Sequence, residues 1–211
     1  MPGAVSLSLA VDEPGSRRVA DALFPEAEHR FLTRDELLPP APFCGPLFEL
    51  LAAFAGASSA AVPGARAEPL VVGLVVPVVW RGAAASGGSS APAVLPPGAL
   101  LAVADHVNLE LRGPLTGRWP AGVPRSFPPL AGIYQPADVR SRGGARVYSS
   151  GVTVAGVVDG RRLTPFEARA VREGGIIAVS DSLVPPAIVA AFYGLTLAAC
   201  GVPGADDNDE E

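Results

Sequence analysis

The chain has 211 residues, 49% of them hydrophobic, with a formal net charge of −5 and a mean hydropathy of +0.34, which is one domain's worth of chain, able to bury about 70% of its unfolded surface in a single core. That composition excludes a disordered or fibrous polymer, and two cysteines exclude a disulfide framework or a cysteine-rich metal site. No apolar run reaches the ~18 residues a membrane-spanning helix needs, and no charged, apolar leader opens the chain, so the protein is expected to be soluble and intracellular.

The basic residues are all arginine, 16 of them with no lysine, a usage expected of a GC-rich genome, bacterial or viral. They are unevenly placed: residues 112–172 carry ten arginines against three acids, whereas residues 173–211 carry seven acids and no arginine. Residues 206–211, Asp-Asp-Asn-Asp-Glu-Glu, are expected to be a disordered acidic tail after one domain spanning 1–205.

In chain order, residues 5–11 alternate apolar and polar with period two, predicting an edge strand with one solvated face. Residues 15–24 form an amphipathic pattern, predicting a helix with Val19, Ala20, Leu23 and Phe24 inward. His29, among surface charges, is expected to be solvated. A Pro-rich connection leads to an apolar helix over 44–55, with Leu47, Leu50, Leu51 and Phe54 at helical spacing. Residues 70–79 are nearly continuous in β-branched side chains, predicting a strand buried on both faces that Pro77 bends or ends early. Residues 83–97 are Ala, Gly, Ser and Pro, a surface loop by composition. Strands are predicted at 99–104 and 152–158, with a loop-rich stretch over 112–150. Thr164-Pro-Phe-Glu167 is a capping box with Pro at the first helical position, predicting a helix over 164–173.

The last third is the most informative. Ile176 to Val179 is an apolar run, a polar turn follows, a Pro-opened helix is predicted over 184–193, and a further apolar run begins after Gly194, which is the punctuation of a βαβ unit with strands near 175–180 and 195–200. The turn containing Asp181 and Ser182 therefore lies at a strand's C-terminal edge, where open α/β sheets bind ligands and where helix N–H groups can hold an anion. Cys44 and Cys200 are expected to be buried free thiols, and no metal-ligand spacing is present.

Several stretches resemble the trimeric purine nucleoside phosphorylase and methylthioadenosine phosphorylase family. Val179-Ser-Asp-Ser-Leu-Val-Pro-Pro-Ala-Ile-Val-Ala-Ala190 is similar to that family's V-G-M-S-T-V-P-E-V-I-V-A block, and Pro97-Gly-Ala-Leu-Leu-Ala-Val-Ala-Asp-His-Val-Asn-Leu109 to its P-G-D-x-x-x-x-x-D-H-I-N-L. Gly113-Pro114, Ser126-Phe-Pro-Pro-Leu130 and Thr164-Pro-Phe-Glu-Ala-Arg169 follow in the family's order, so the likeness covers roughly 95–205. It implies an α/β fold, a mixed, mostly parallel sheet flanked by helices in one domain. The vestigial ligand-binding positions it implies are Ser182, Asp181, Arg81, His106 and Asn108, with Arg81 where the family keeps a phosphate-binding arginine and with His106 and Asn108 ordering a loop.

The departures argue against the activity. Leu163 stands where the family has its purine-binding glutamate, and Val202-Pro-Gly-Ala205 stands where it has its base-contacting asparagine. The N-terminal G-S-G-L-G phosphate loop has no counterpart, and the low-complexity 83–97 stretch occupies the place of G-R-x-H-x-Y-E and T-N-A-A-G-G. The expected function is a catalytically inactive phosphorylase-fold protein serving as a binding or regulatory module, with weak or no nucleoside binding, no cofactor, no catalytic residue and protein partners that include a second copy of the chain. The GC-rich origin, the missing catalytic groups and the acidic tail also resemble the small nuclear phosphoprotein of alphaherpesviruses, which implies the host nucleus if the protein is viral and the cytoplasm otherwise. Two alternatives stand beside this: an active divergent phosphorylase or nucleosidase, and a nucleic-acid-associated protein working through the Arg-rich 112–172 stretch, where Trp119, Phe127, Tyr134 and Tyr148 are interleaved.

Overall fold

The computed structural model describes residues 5–37, 43–59, 70–80, 95–110, 113–117, 119, 127–148, 151–157, 163–176 and 178–204. The elements run β1 (Val5–Val11), α1 (Pro14–Leu23), β2 (Glu28–Leu32), α2 (Arg34–Leu37), α3 (Pro46–Ser59), β3 (Val71–Trp80), β4 (Leu101–Asn108), α4 (Pro136–Gly143) with a 3-10 turn behind it, β5 (Val152–Gly156), α5 (Pro165–Glu173), β6 (Ala178–Ser180), α6 (Val184–Phe192) and β7 (Thr196–Pro203). The expected segments 83–94 and 206–211 lie outside the described residues.

The sheet order is β2-β1-β3-β6-β5-β4-β7, with a further pairing between β3 and β7. That extra pairing closes β3, β7, β4, β5 and β6 into a ring, leaving β2 at one end. Pairings β1–β2, β1–β3, β3–β7, β4–β5 and β5–β6 are parallel, and β3–β6 and β4–β7 are antiparallel. The antiparallel seams are short: Val79 and Trp80 of β3 meet Val179 and Ala178 of β6, and Leu101 and Ala102 of β4 meet Gly201 and Cys200 of β7. Strand twist rotates the two parallel groups against each other, so they share only their corners.

Alternation along the strands sorts the core into two layers. Val72, Leu74, Val76, Val78 and Trp80 of β3, with Leu197 and Ala199 of β7, join Leu47, Phe48 and Leu51 of α3 and Ala187, Val189 and Ala190 of α6. The opposite face, with Val71, Val75, Ala198 and Cys200, packs on Ala20 and Leu23 of α1, Phe24 just beyond it, and Val139 of α4. Gly73 lies between Val71 and Val75 because a Cβ there would come within 2.8 Å of the Phe24 ring. A third, smaller cluster of Ala155, Val157, Val171, Ile176 and Val179 lies under α5.

Several expectations change. β1 is no edge strand: it pairs with β2 and β3 on its two sides, and Ser8 is buried with the apolar residues. The true edge is β2, whose Glu-His-Arg-Phe-Leu sequence hides a period of two behind its charges. His29 is correspondingly not solvated; its ring stacks on Phe31 at 6.0 Å and Nε2 lies 3.7 Å from an Asp21 oxygen. Pro77 does not stop β3. Pairing with β1 ends at Val75 and pairing with β6 begins at Val79, so Pro77 stands in the gap between them, where a missing N–H removes no ladder bond. Within 112–150, expected to be loop-rich, Pro136 opens α4, and Ile133, Tyr134 and Val139 are buried. Cys200 is buried, but Cys44 is exposed.

Candidate functional site

The polar residues of interest gather where β4, β5 and β6 end. Leu109 N–H donates to the Gly156 carbonyl at 2.9 Å and Val157 N–H to the Ser180 carbonyl at 3.0 Å, so the three parallel strands remain tied to their last residues. Asp181 and Ser182 leave β6 here, as the βαβ reading expects. The Ser180 hydroxyl donates to the Pro77 carbonyl at 2.9 Å and accepts the Ser182 N–H at 3.2 Å, which pins the turn to β3.

Ser182 is completely buried. Its hydroxyl donates to Asp181 Oδ1 at 2.6 Å, and its N–H is spent on Ser180. The helix behind it starts Val184-Pro-Pro186, with no side-chain cap, and prolines at two of its first three positions remove N–H groups that an anion would otherwise use. Asp181 carries its own counter-charge: Arg34 Nη1 donates to Asp181 Oδ2, while Nη2 and Nε donate to Glu13 Oε1 at 2.8 and 3.3 Å. The Asp181 side chain is 13% exposed.

Arg34 and Glu13 were not singled out in the sequence. Asp12 N–H donates to the Leu32 carbonyl at 2.8 Å, which holds the ends of β1 and β2 together and sets Glu13 beside Arg34. α2 is fixed by a capping box, Thr33 N–H donating to Glu36 Oε2 at 2.8 Å and Glu36 N–H to Thr33 Oγ1 at 3.3 Å. This is the pattern recognised at Thr164-Pro-Phe-Glu167, whose box also forms and starts α5. Reading Thr33-Arg-Asp-Glu36 by the same rule would have found α2 and its arginine.

Glu110 is the second residue the sequence reading passed over. Asn108 Oδ1 accepts the Glu110 N–H at 2.9 Å, an Asx-type turn that ends β4 and directs the chain inward. Glu110 is 7% exposed. Its Oε1 is buried with no hydrogen-bond partner among the described residues and would lie 3.2 Å from a Cβ placed on Gly156. Gly156 is required here because that Cβ would also fall 2.3 Å from Val184 Cγ2. Burial, reinforced by the negative charge of Asp181, pushes the Glu110 carboxyl up to about 7.

His106 belongs to a different contact. β4 continues through Asp105 to Asn108 instead of ending before them, and His106 Nδ1 lies 2.7 Å from the buried Tyr134 hydroxyl, the rings meeting edge to face. Burial lowers the His106 pKa and raises that of Tyr134. His106 thus ties β4 to the turn before α4, whereas Asn108 serves the Glu110 turn. Arg81 and Val158 lie outside the described residues. Leu163 packs against the cluster under α5 and Leu183 belongs to the main core.

In the Arg-rich stretch, Arg142 lies over the Phe24 ring at 5.7 Å, Arg169 over Phe166 at 5.9 Å, and Arg172 Nε donates to the Ala168 carbonyl at 3.3 Å. Among the described residues no group of three or more His, Cys, Asp or Glu could hold a metal ion, and no helix is long and apolar enough to cross a membrane.

No protein-family profile and no curated protein sequence matches the chain. Among solved structures it is similar to a Schistosoma purine nucleoside phosphorylase in complex with hypoxanthine, at 17% identity over 67% of this chain and 53% of that one, with a TM-score of 0.50. Schistosoma mansoni purine nucleoside phosphorylase with inosine matches at 18% identity over 67% and 50% of the two chains with a TM-score of 0.49, and the same enzyme with BCX-34 at 17% identity over 66% and 53%, also with 0.49. The chain spans about half the length of these structures. What it shares with them is the fold: a mixed α/β sheet flanked by helices, nucleoside-phosphorylase-like in its architecture.

Proposed function

We propose that this protein is a non-catalytic binding module built on a nucleoside-phosphorylase-like fold. The observation that carries this reading is the state of the β6–α6 turn: both Ser182 donors are taken by Ser180 and Asp181, and a carboxylate held by Arg34 lies beside them. A phosphate approaching this turn meets Asp181 with no free Ser182 donor to offset the repulsion. Leu163 supplies no polar group for a nucleobase, and a buried site built without the partner groups of its substrate forfeits several kcal/mol of transition-state binding.

The test is phosphorolysis of inosine, guanosine and methylthioadenosine by the purified full chain, together with calorimetry. The expected results are no turnover and no inosine binding tighter than about 1 mM, roughly −4 kcal/mol. Turnover abolished by Ser182→Ala, or micromolar affinity for inosine, overturns the reading. The partners proposed are proteins, a second copy of the chain included, and light scattering on the purified chain tests the latter. The viral nuclear setting rests on the arginine-only basic residues and the acidic residues 206–211; imaging the tagged full chain in cells tests it, and exclusion from the nucleus overturns it.

A further inference from the structure

Where β4, β5 and β6 end, the described residues bring two carboxylates to one guanidinium and leave an oxygen of a third carboxylate, Glu110, without a donor. Glu13, Arg34 and Asp181 form a chain in which the single guanidinium bridges two carboxylates, and Ser182 completes Asp181. Glu110 lies within electrostatic reach of Asp181, and its Oε1 is buried without a partner among the described residues. Gly156, which that oxygen faces, has no side chain to donate from. A buried, unpaired carboxyl beside a second carboxylate is costly in its charged form and stable only when protonated or joined by a cation.

We propose that Glu110 and Asp181 together receive a cationic N–H donor, a guanidinium or ammonium group, brought either by a small amine or by an arginine or lysine side chain of a partner protein. Arg34 shows the chemistry in the same place: a guanidinium is already the group that Asp181 takes. A second such group reaching Glu110 past the partly exposed Asp181 side chain would supply Oε1 with its missing donor and cancel the repulsion between the two carboxylates. An organic cation fits better than a metal ion, because the donor set here falls short of a metal-binding group among the described residues. The inference rests on the reading of this edge as a binding site and names what it binds.

Because a cation must displace the proton on Glu110, binding is expected to strengthen with pH. With the carboxyl at about 7, affinity should fall about tenfold between pH 8 and pH 6. The experiment is calorimetry on the full chain with two probes, agmatine and the tripeptide Gly-Arg-Gly with blocked ends. At least one probe should bind at pH 8 with a Kd of about 1 mM or tighter, and Glu110→Gln should weaken it at least tenfold while keeping the wild-type circular dichroism. Asp181→Asn gives a second variant with the same expected direction. Agmatine binding as well as the tripeptide indicates a small amine as sufficient ligand; tripeptide binding alone indicates a partner's basic side chain. No binding of either probe at pH 8, equal affinity at pH 6 and pH 8, or an affinity that Glu110→Gln leaves unchanged overturns the proposal. A protein that neither cleaves inosine nor binds either probe retains the non-catalytic reading and loses this one.

Discussion

Asp181 and Glu110 are two carboxylates at the ends of β6 and β4, on either side of β5, with opposite solutions to burial. Asp181 accepts from an arginine of a distant element and from the next serine. Glu110, more deeply buried, has a buried oxygen with no donor among the described residues, and its carboxyl is pushed up to about 7. The difference shows that a buried carboxylate's state is decided by what the tertiary fold delivers to it, since both residues leave their strands through short turns of ordinary sequence.

The largest test removes the donor that separates the two. Arg34→Met leaves Asp181 and Glu13 without their shared cation and is expected to lower stability by about 2–3 kcal/mol, discounted because the arginine is partly exposed, as read from the urea midpoint. Adding Asp181→Asn to that variant should recover part of the loss, because the orphaned charge is gone.

The next test makes Glu110 behave as a neutral group. A carboxyl whose folded pKa is raised from 4.5 to about 7 holds its proton more tightly folded than unfolded. Its contribution to stability is therefore complete below about 4.5 and lost as the pH climbs to about 7. Wild-type stability should fall by on the order of 2 kcal/mol between pH 4.5 and pH 8 from this group, and Glu110→Gln should flatten that slope in thermal melts across the range. A slope identical in both proteins would remove Glu110 from the comparison.

The smallest test concerns how Arg34 is placed. Thr33→Ala removes the cap of a four-residue helix and should cost about 1 kcal/mol, close to the cost of Thr164→Ala at α5 if Arg34 stays in position. A Thr33→Ala cost well above that of Thr164→Ala would show that the cap also holds the Arg34–Asp181 pair together.

Much of the architecture was legible because it depends on local patterns. The β-branched run of β3, the Thr164 capping box and the Pro-opened helix after Asp181 are each visible in a few residues. β2 was hidden because its Glu, His and Arg mask the alternation of an edge strand, and α2 gives no helical periodicity in four residues, so that only its Thr33–Glu36 capping box marks it. α4 was hidden because arginines and glycines around it resemble loop.

The sequence by itself determined that the chain forms a mixed α/β domain and that a polar turn follows the short strand before α6. Only the tertiary structure decided which side chains fill that turn. Arg34 and Asp181 are separated by 147 positions, and they meet because ring closure through the short β3–β6 seam brings the ends of β1 and β2 against the end of β6. Glu110 joins them only because Asn108 turns the chain inward over Gly156. Local propensity carries no information about such meetings, since they depend on how strand twist and closure place one sheet corner on another.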